Sequence, residues 1–327
     1  LKPKNTADLL GTSIEKHRIQ GRSQELVDGF VDFVSSSEAS DQNCLMSLGL
    51  AMFSAKLVAA DVGVDTLAIE ELRGAQLLFD TNVLFAISLE SNRLSKSLQE
   101  LGSALTVMGI SPCILQTTKD EYKRVVLGRR NDILNLLHNY PEQVVGEAKN
   151  PFIMTAKLRG CKTIADYERF FDTLSEPPAL ITDKVAIVNE DYTDTASIVE
   201  KAKNDNSLKD MIQEKYKKLR AFGRPEKKSE VALQHDASLL RVGESLRKMG
   251  SKCWVLSLDR TLQACGVQLS SGKEGSVVLS VDALVGMLAL NNAGPEHRSE
   301  NYAPLLANII LNKCVPAVGS YTTEDLH

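Results

Sequence analysis

The chain has 327 residues, of which 43% are hydrophobic, 24% are charged and 5% are aromatic, and its formal net charge is −4. This composition is typical of a soluble globular protein, and the net negative charge excludes a global electrostatic attraction to nucleic acid. The six cysteines form no C-x-x-C pair, which argues against a zinc site or a disulfide framework and favours reduced thiols in a cytoplasmic protein. No apolar run is long enough to span a bilayer and no signal-peptide pattern opens the chain, so we expect no membrane partner and no secretion.

Amphipathic segments predict a helical extension over residues 1–74. After this extension, short apolar runs alternate with helical patterns. Residues 75–79 predict the first strand, and residues 113–115 predict the second. In the helix that follows, Thr118 and Glu121 have the spacing of a capping box. This spacing would place Glu121 in the first helical turn.

The alternation stops over residues 140–228, which are punctuated by prolines and which we interpret as a partly helical insertion projecting from the core. It resumes with a helix that Ser229 would cap and Gly250 would end. Residues 252–256 and 276–279 predict two further strands. Because strands and helices alternate, the sequence predicts βαβ units around a parallel sheet.

The predicted α/β domain therefore covers residues 75–290, with the insertion at about 140–228. Residues 291–327 would follow it as a C-terminal extension. The N-terminal helices and the insertion are the segments that we expect to bind a protein partner or to mediate self-association.

Four acids occupy positions where a carboxylate would either contact a ligand or be buried at a cost in free energy. Asp80 and Asp259 follow predicted strands, at the edge where open parallel sheets bind ligands, although either residue could simply cap a helix. Asp236 and Glu121 lie on helix faces that are otherwise small or apolar. Buried carboxylates need a partner or a metal, and neither face carries a Lys or Arg close to its acid, although one could reach in from elsewhere in the chain. We therefore expect these acids to bind a hard divalent cation, Mg²⁺ or Mn²⁺.

The segments that carry these acids resemble the four motifs of the PIN-domain nucleases. In chain order they are Leu77 to Leu84 with its Asp80-Thr81-Asn82, Thr118 to Glu121, His235 to Leu240, and Ser257 to Leu262. The resemblance covers residues 75–139 and 229–290. It departs from compact members of the family in the long stretch between the second and third motifs.

The resemblance implies a three-layer α/β/α sandwich with a central parallel sheet, whose acidic pocket binds one or two Mg²⁺ or Mn²⁺ ions and hydrolyses phosphodiester bonds. The main metal ligands would be Asp80, Asp236 and Asp259. Glu121 would be a further ligand or would orient the attacking water, so that all four acids would be catalytic. Asn82 and Ser257 would support the ligands or contact phosphate, unless they only cap loops.

An acidic pocket repels phosphate, so a nucleic-acid substrate would need basic groups nearby. One candidate surface consists of Lys123, Arg124, Arg129 and Arg130. The other is a basic run from Lys215 to Lys228 that includes Lys215, Lys217, Lys218, Arg220 and Arg224. Tyr216 and Phe222 interleave this run and could stack bases, although a solvated helix face explains either surface as well. His235 would point away from Asp236 on a helix, which favours a structural or surface role.

These observations favour a metal-dependent endoribonuclease that acts on single-stranded or structured RNA. RNA is preferred to DNA only because of the family resemblance, so a DNA-directed nuclease is the near alternative. A non-catalytic PIN-like protein that binds RNA or serves as a scaffold is the second. A phosphatase on a doubly wound sheet is the third, but Asp80-Thr81-Asn82 lacks the second Asp that haloacid-dehalogenase-type phosphatases have at that spacing.

Overall fold

The computed structural model describes residues 72–92, 94–95, 98–99, 101, 105, 109–146, 148, 150–178, 186–187, 193–219, 226–270, 275–281 and 283–284, with isolated residues between 29 and 44. The chain divides into two compact units, one comprising residues 1–61 with 282–318 and the other residues 62–281 with 319–327. The predicted C-terminal extension and nearly all of the predicted N-terminal extension lie outside the described residues. None of the described helices is long and apolar enough to cross a membrane.

All the strands and helices considered below belong to the second unit. The strands are β1 (Gln76–Phe79), β2 (Ser111–Ile114), β3 (Ala186–Ile187), β4 (Cys253–Leu256) and β5 (Val278–Leu279). The helices are α1 (Thr81–Ser88), α2 (Gln116–Asn139), α3 (Glu142–Val145), α4 (Pro151–Leu158), α5 (Ile164–Thr173), α6 (Thr193–Lys203), α7 (Asn206–Leu219), α8 (Glu230–Lys248) and α9 (Arg260–Leu269).

The described strands form one parallel sheet in the order β3-β2-β1-β4-β5. The α/β class and the parallel sheet that the sequence predicts are therefore confirmed. The arrangement is compatible with a three-layer sandwich.

The strand order creates a reversal point between β1 and β4. The chain runs outward from β1 through β2 to β3 and then returns to place β4 on the other side of β1. In open α/β sheets, ligands bind beyond the carboxyl ends of the strands at such a point. Asp80 follows β1 there, and its backbone N–H donates to Leu256 O at the end of β4, at 3.0 Å.

β4 and the last three residues of β1 are apolar and buried, as expected for a parallel sheet that is covered on both faces. Leu78 of β1 and Val255 of β4 are fully buried. They share a core cluster with Leu239 and Val242, which come from the apolar face of α8. The packing of α8 on β4 is therefore what brings the third predicted motif to the sheet.

The segment between the second and third motifs belongs to this core and does not project from it in the part that the structure describes. β3 extends the sheet by pairing with β2, and α6 packs along α8. Ala202 of α6 with Leu208 and Ile212 of α7 joins the core cluster. The expectation of a projecting insertion is wrong for these elements because their apolar positions cover α8 and α9.

The predicted limits of α8 are confirmed, whereas those of α2 are wrong. Ser229 caps α8, its Oγ accepting from the N–H of Ala232 at 3.2 Å, and Gly250 follows the helix at a φ of +86°. α2 begins at Gln116, three residues earlier than a capping box at Thr118 requires. Glu121 therefore lies in the second turn, and the Thr118 hydroxyl contacts a histidine of α8.

The close approach of α9 to β5 depends on Gly266, so the change Gly266→Ala is expected to destabilise the protein. A methyl group on this residue would meet Val278 Cγ2 at 2.7 Å and Ser276 Oγ at 2.8 Å. Overpacking of this kind typically costs about 1–3 kcal/mol. The matched control is Gly128→Ala on α2, where a methyl group meets nothing within 4 Å, and where the better helix propensity adds up to about 1 kcal/mol. Urea unfolding measures both variants, and a Gly266→Ala protein as stable as the wild type would contradict this packing.

Candidate functional site

The structure brings the four predicted acids into one buried region at the reversal point of the sheet. Asp80 follows β1, Glu121 lies on α2, Asp236 lies on α8 and Asp259 follows β4. Their exposed fractions are at most 4%. The region has two halves. The first, the Asp80 cluster, consists of Asp80, Glu121 and His235, each with a potential ligand atom within 4.8 Å of the others. The second, the Lys228 bridge, consists of Lys228, Asp236 and Asp259.

Asp80 is held by one carboxylate oxygen only. Its Oδ2 accepts from Ser257 Oγ at 2.5 Å and from Asn82 Nδ2 at 2.6 Å. Its Oδ1 is buried and has no hydrogen-bond partner among the residues that the structure describes. Burial raises the pKa of Asp80 to about 7, although the charge of His235 and the hydrogen bond from Ser257 act in the opposite direction. Asp80 therefore carries a carboxylate that the surrounding side chains compensate incompletely.

Glu121 and His235 form the other side of the Asp80 cluster. Thr81 Oγ1 donates to Glu121 Oε2 at 2.5 Å, and His235 Nδ1 lies 2.9 Å from the same oxygen. The contact between Nδ1 and Oε2 does not have the geometry of a hydrogen bond, and Nδ1 has no hydrogen-bond partner in the described part of the chain. Burial lowers the pKa of His235, but the negative charges around it outweigh burial and raise the pKa to about 10.

Of the structural or surface role that the sequence predicts for His235, the surface role is wrong. The side chain is 4% exposed, and its Nε2 lies 3.0 Å from the hydroxyl of Thr118 on α2. On α8 alone the ring points away from Asp236, but α2 packs against that face of α8. The cluster thus includes a nitrogen atom that could serve as a ligand and that the spacing on one helix could not show.

Lys228 supplies a cation to the other two acids. Its Nζ lies 2.7 Å from Asp236 Oδ2 and 2.6 Å from Asp259 Oδ2, and its side chain is 1% exposed. Burial lowers the pKa of Lys228, but the two carboxylates outweigh burial and raise it well above its usual range. Burial likewise raises the pKa of Asp259, and Lys228 outweighs it, so that the net shift is downward.

The expectation of a metal ion as the partner of the acids considered only cations on their own helix faces. For Asp236 and Asp259, a lysine from outside those faces is the cationic partner. Lys228 lies outside α8, immediately before its capping residue Ser229, and its long side chain reaches the carboxylates from there. It is also not part of an exposed basic surface.

Asn82 and Ser257 tie the ends of β1 and β4 together. Asn82 Oδ1 accepts from the N–H of Leu258 at 3.0 Å, and Ser257 Oγ accepts from the N–H of Asp259 at 3.0 Å. Asn82 Nδ2 also lies 3.2 Å from Ser257 Oγ. Both side chains therefore orient Asp80 while they fix the turn that leads into α9.

Ser257→Ala is expected to lower the free energy of unfolding by about 1–3 kcal/mol, because it leaves the buried N–H of Asp259 without its acceptor. Asp80 Oδ2 loses the bond from Ser257 and keeps the bond from Asn82. The matched control is Ser238→Ala, which removes a fully buried hydroxyl that bonds only to Gln234 O of its own helix. Denaturant unfolding without metal compares the two variants. Equal losses would show that the Ser257 hydroxyl has no special role.

The Asp80 cluster has the donor set of a small divalent-metal site. Two carboxylates and one imidazole converge, and Asp80 Oδ1 and His235 Nδ1 are among the six buried side-chain atoms that lack a hydrogen bond within the described residues. Carboxylate oxygens suit Mg²⁺ and Mn²⁺, whereas an imidazole nitrogen favours the transition metal. His235 would bind an ion only as the neutral ring. The residues present could therefore hold a divalent metal ion.

Acids balance much of the predicted basic surface on α2. Lys123 pairs with Glu176, which also binds Lys119 at 3.0 Å. The remaining pairs are Arg129 with Asp132 at 3.6 Å and Arg130 with Asp172 at 3.9 Å. Arg124 is exposed. These pairs reduce the charge that this surface can offer to a phosphate backbone.

The second basic run is divided between the surface and the core. Lys217 and Lys218 are exposed, and Lys218 pairs with Glu214 at 2.5 Å, while Lys215 is partly buried. Tyr216 is 1% exposed, so the expectation that it stacks bases is wrong. Its ring lies 5.6 Å from Lys228 Nζ instead. Arg220, Phe222 and Arg224 lie outside the described residues.

Comparison with models of known protein families, with curated proteins and with solved structures finds no match for this chain. The chemistry of the site therefore has to be inferred from its own residues.

Proposed function

We propose that this chain is a PIN-like, metal-dependent nuclease, most simply an endoribonuclease that binds Mn²⁺ or Mg²⁺ in the Asp80 cluster. The observation that carries the proposal is the meeting of two carboxylates and an imidazole at the sheet's reversal point, where Asp80 Oδ1 lacks a hydrogen bond from any residue that the structure describes and His235 Nδ1 faces Glu121 Oε2 at 2.9 Å. Buried polar atoms in native proteins nearly always have partners, so such atoms call for a ligand. Ionisable groups with strongly perturbed pKa values are concentrated at functional sites, which supports the same view.

Each group of the site has a distinct part in the proposed reaction. Asp80, Glu121 and His235 would hold the ion, which when bound lowers the pKa of water and offsets negative charge on a phosphodiester. Ser257 and Asn82 keep the Asp80 carboxylate in one orientation. Thr81 does the same for Glu121 through its hydroxyl. These supports are what a metal ligand needs in order to stay ordered.

RNA is proposed as the substrate because the motif segments resemble PIN nucleases, and a DNA-directed nuclease is the alternative. The exposed Arg124 and Lys217 are available for backbone contacts. A cytoplasmic location is proposed from the cysteines, since Cys44, Cys113, Cys161, Cys253 and Cys265 are all free thiols. A protein partner or self-association through the N-terminal segment or residues 140–228 also stays a proposal.

A substrate panel tests the proposal directly. Labelled single-stranded RNA, hairpin RNA, single-stranded DNA and duplex DNA are incubated with the purified chain in Mn²⁺, in Mg²⁺ and in EDTA. We expect internal cleavage of RNA with Mn²⁺, weaker cleavage with Mg²⁺ and none in EDTA. Cleavage of DNA alone would overturn the choice of RNA, and RNA binding without any cleavage would favour the non-catalytic scaffold.

A further inference from the structure

The two halves of the buried site differ in how their negative charge is balanced. In the Asp80 cluster, Asp80 Oδ1 lacks a hydrogen bond from any described residue. In the Lys228 bridge, one ammonium group lies within 2.7 Å of an oxygen of both carboxylates. Asp236 and Asp259 therefore already share a cation that belongs to the chain.

We propose that this site takes a single divalent ion, in the Asp80 cluster, and that the ammonium of Lys228 permanently occupies the place of a second cation between Asp236 and Asp259. The inference rests on the proposed metal-dependent function and deepens it by fixing the number of metal ions. It also assigns Asp236 and Asp259 to holding Lys228, not to binding metal.

The surroundings of Lys228 favour a fixed cation over one that a metal ion displaces. Its backbone N–H donates to Gln213 Oε1 on α7 at 3.1 Å, which anchors the residue on one side. On the other side the chain enters α8 at once through the capping residue Ser229. The side chain is 1% exposed and its Nζ lies 5.6 Å from the Tyr216 ring. Moving the ammonium out would break two charge-assisted hydrogen bonds and require repacking against α7.

His235, which takes the corresponding place in the Asp80 cluster, differs chemically from Lys228. An imidazole ring has a nitrogen lone pair when neutral and can become a ligand, whereas an ammonium group has three donors and no acceptor. His235 can therefore join an ion that arrives beside Glu121. Lys228 can only exclude an ion or be expelled by it.

The position of its ammonium group gives Lys228 an electrostatic role that a single metal ion in the Asp80 cluster cannot fill. In two-metal nucleases the second ion offsets charge on the leaving oxygen of the phosphodiester. An ammonium held beside the metal ligands supplies a positive charge at a fixed position without a second ion. Lys228 is thus inferred to be a positioning residue that orders the two aspartates and contributes charge to the site.

Counting bound metal tests the inference independently of cleavage. Wild-type protein is titrated with Mn²⁺ alone, and the bound ions are counted by electron paramagnetic resonance of free Mn²⁺ and by native mass spectrometry. We expect one ion per chain in the wild type and two in Lys228→Met, because the change leaves a carboxylate pair without its cation. The Lys228→Arg variant keeps the charge and is expected to bind one.

The matched control is Lys209→Met. Lys209 is another largely buried lysine, paired with Glu230 at 2.7 Å but outside the site. This variant should bind one ion, as the wild type does. Two ions on wild type or on Lys228→Arg, or one ion on a folded Lys228→Met, would overturn the inference and leave the proposed function standing. No ion on the wild type would overturn the metal centre of the proposed function itself. Because the wild-type and Lys228→Arg counts can each overturn the inference, the test does not depend on Lys228→Met folding.

Discussion

Asp80→Asn is expected to reduce Mn²⁺-dependent cleavage by on the order of a thousandfold or more, while the metal-free protein becomes at least as stable as the wild type. A bound metal contributes several kcal/mol of transition-state stabilisation, and each 1.4 kcal/mol or so corresponds to about tenfold in rate. The stability effect follows from burial, which raises the pKa of the Asp80 carboxyl to about 7. A neutral amide removes the buried charge, and its oxygen can still accept from Ser257 and Asn82.

The matched control for this change is Asp205→Asn. Asp205 accepts from Arg241 at 2.7 Å and lies outside the site. The hydrogen bonds from Leu208 N–H and from Arg241 lower its pKa, so neutralising it should reduce stability slightly and leave cleavage unchanged. Cleavage rates in Mn²⁺ and melting temperatures in EDTA are measured for both variants. Full activity of Asp80→Asn would show that the nuclease is a contaminant, and a large loss of its stability would show that Asp80 serves the fold.

Lys228→Met is expected to lower the free energy of unfolding by about 3–5 kcal/mol in EDTA, the largest stability effect that we predict. The change removes the cation shared by Asp236 and Asp259 and leaves two carboxylates buried together. Neutralising both acids as well, in Lys228→Met/Asp236→Asn/Asp259→Asn, should recover most of the loss, because replacing a whole buried ion network is often neutral. Mn²⁺ should also stabilise Lys228→Met more than it stabilises the wild type.

Lys209→Met provides the comparison for Lys228→Met. Its single ion pair with the exposed side chain of Glu230 is expected to contribute no more than about 1 kcal/mol. Guanidinium unfolding of the four proteins in EDTA gives the differences. If Lys228→Met unfolds at the same denaturant concentration as Lys209→Met, the buried network does not hold the charges as described.

Local sequence patterns could predict the features that are encoded within a single strand or helix. The apolar runs that became β1 and β4 have the length and composition of buried parallel strands, so the sheet was predictable. The inward orientation of Asp236 followed from the apolar face of α8, and the limits of that helix followed from Ser229 and Gly250. The convergence of the four acids followed from the rule that parallel strands share one functional edge.

The features that pattern missed depend on contacts between distant segments. β3 is two residues long, too short to give a periodic signal, and the burial of α7 depends on α8 and α9. His235 is buried by α2, whose Thr118 lies 117 positions away in the chain. Lys228 belongs to a basic run whose pattern is typical of a solvated surface, but its side chain turns inward to Asp236 and Asp259. Its place directly before a helix cap, eight residues from a buried Asp, is the signal that could have identified it.

The most direct test of the central claim is a crystal structure of the wild-type chain with Mn²⁺, using anomalous scattering to locate the metal. A single peak about 2.2 Å from ligand atoms of Asp80, Glu121 and His235, with Lys228 still between Asp236 and Asp259, is the result that we expect. A well-ordered site at saturating Mn²⁺ with no peak in this cluster, or with the ion bound elsewhere, would contradict it.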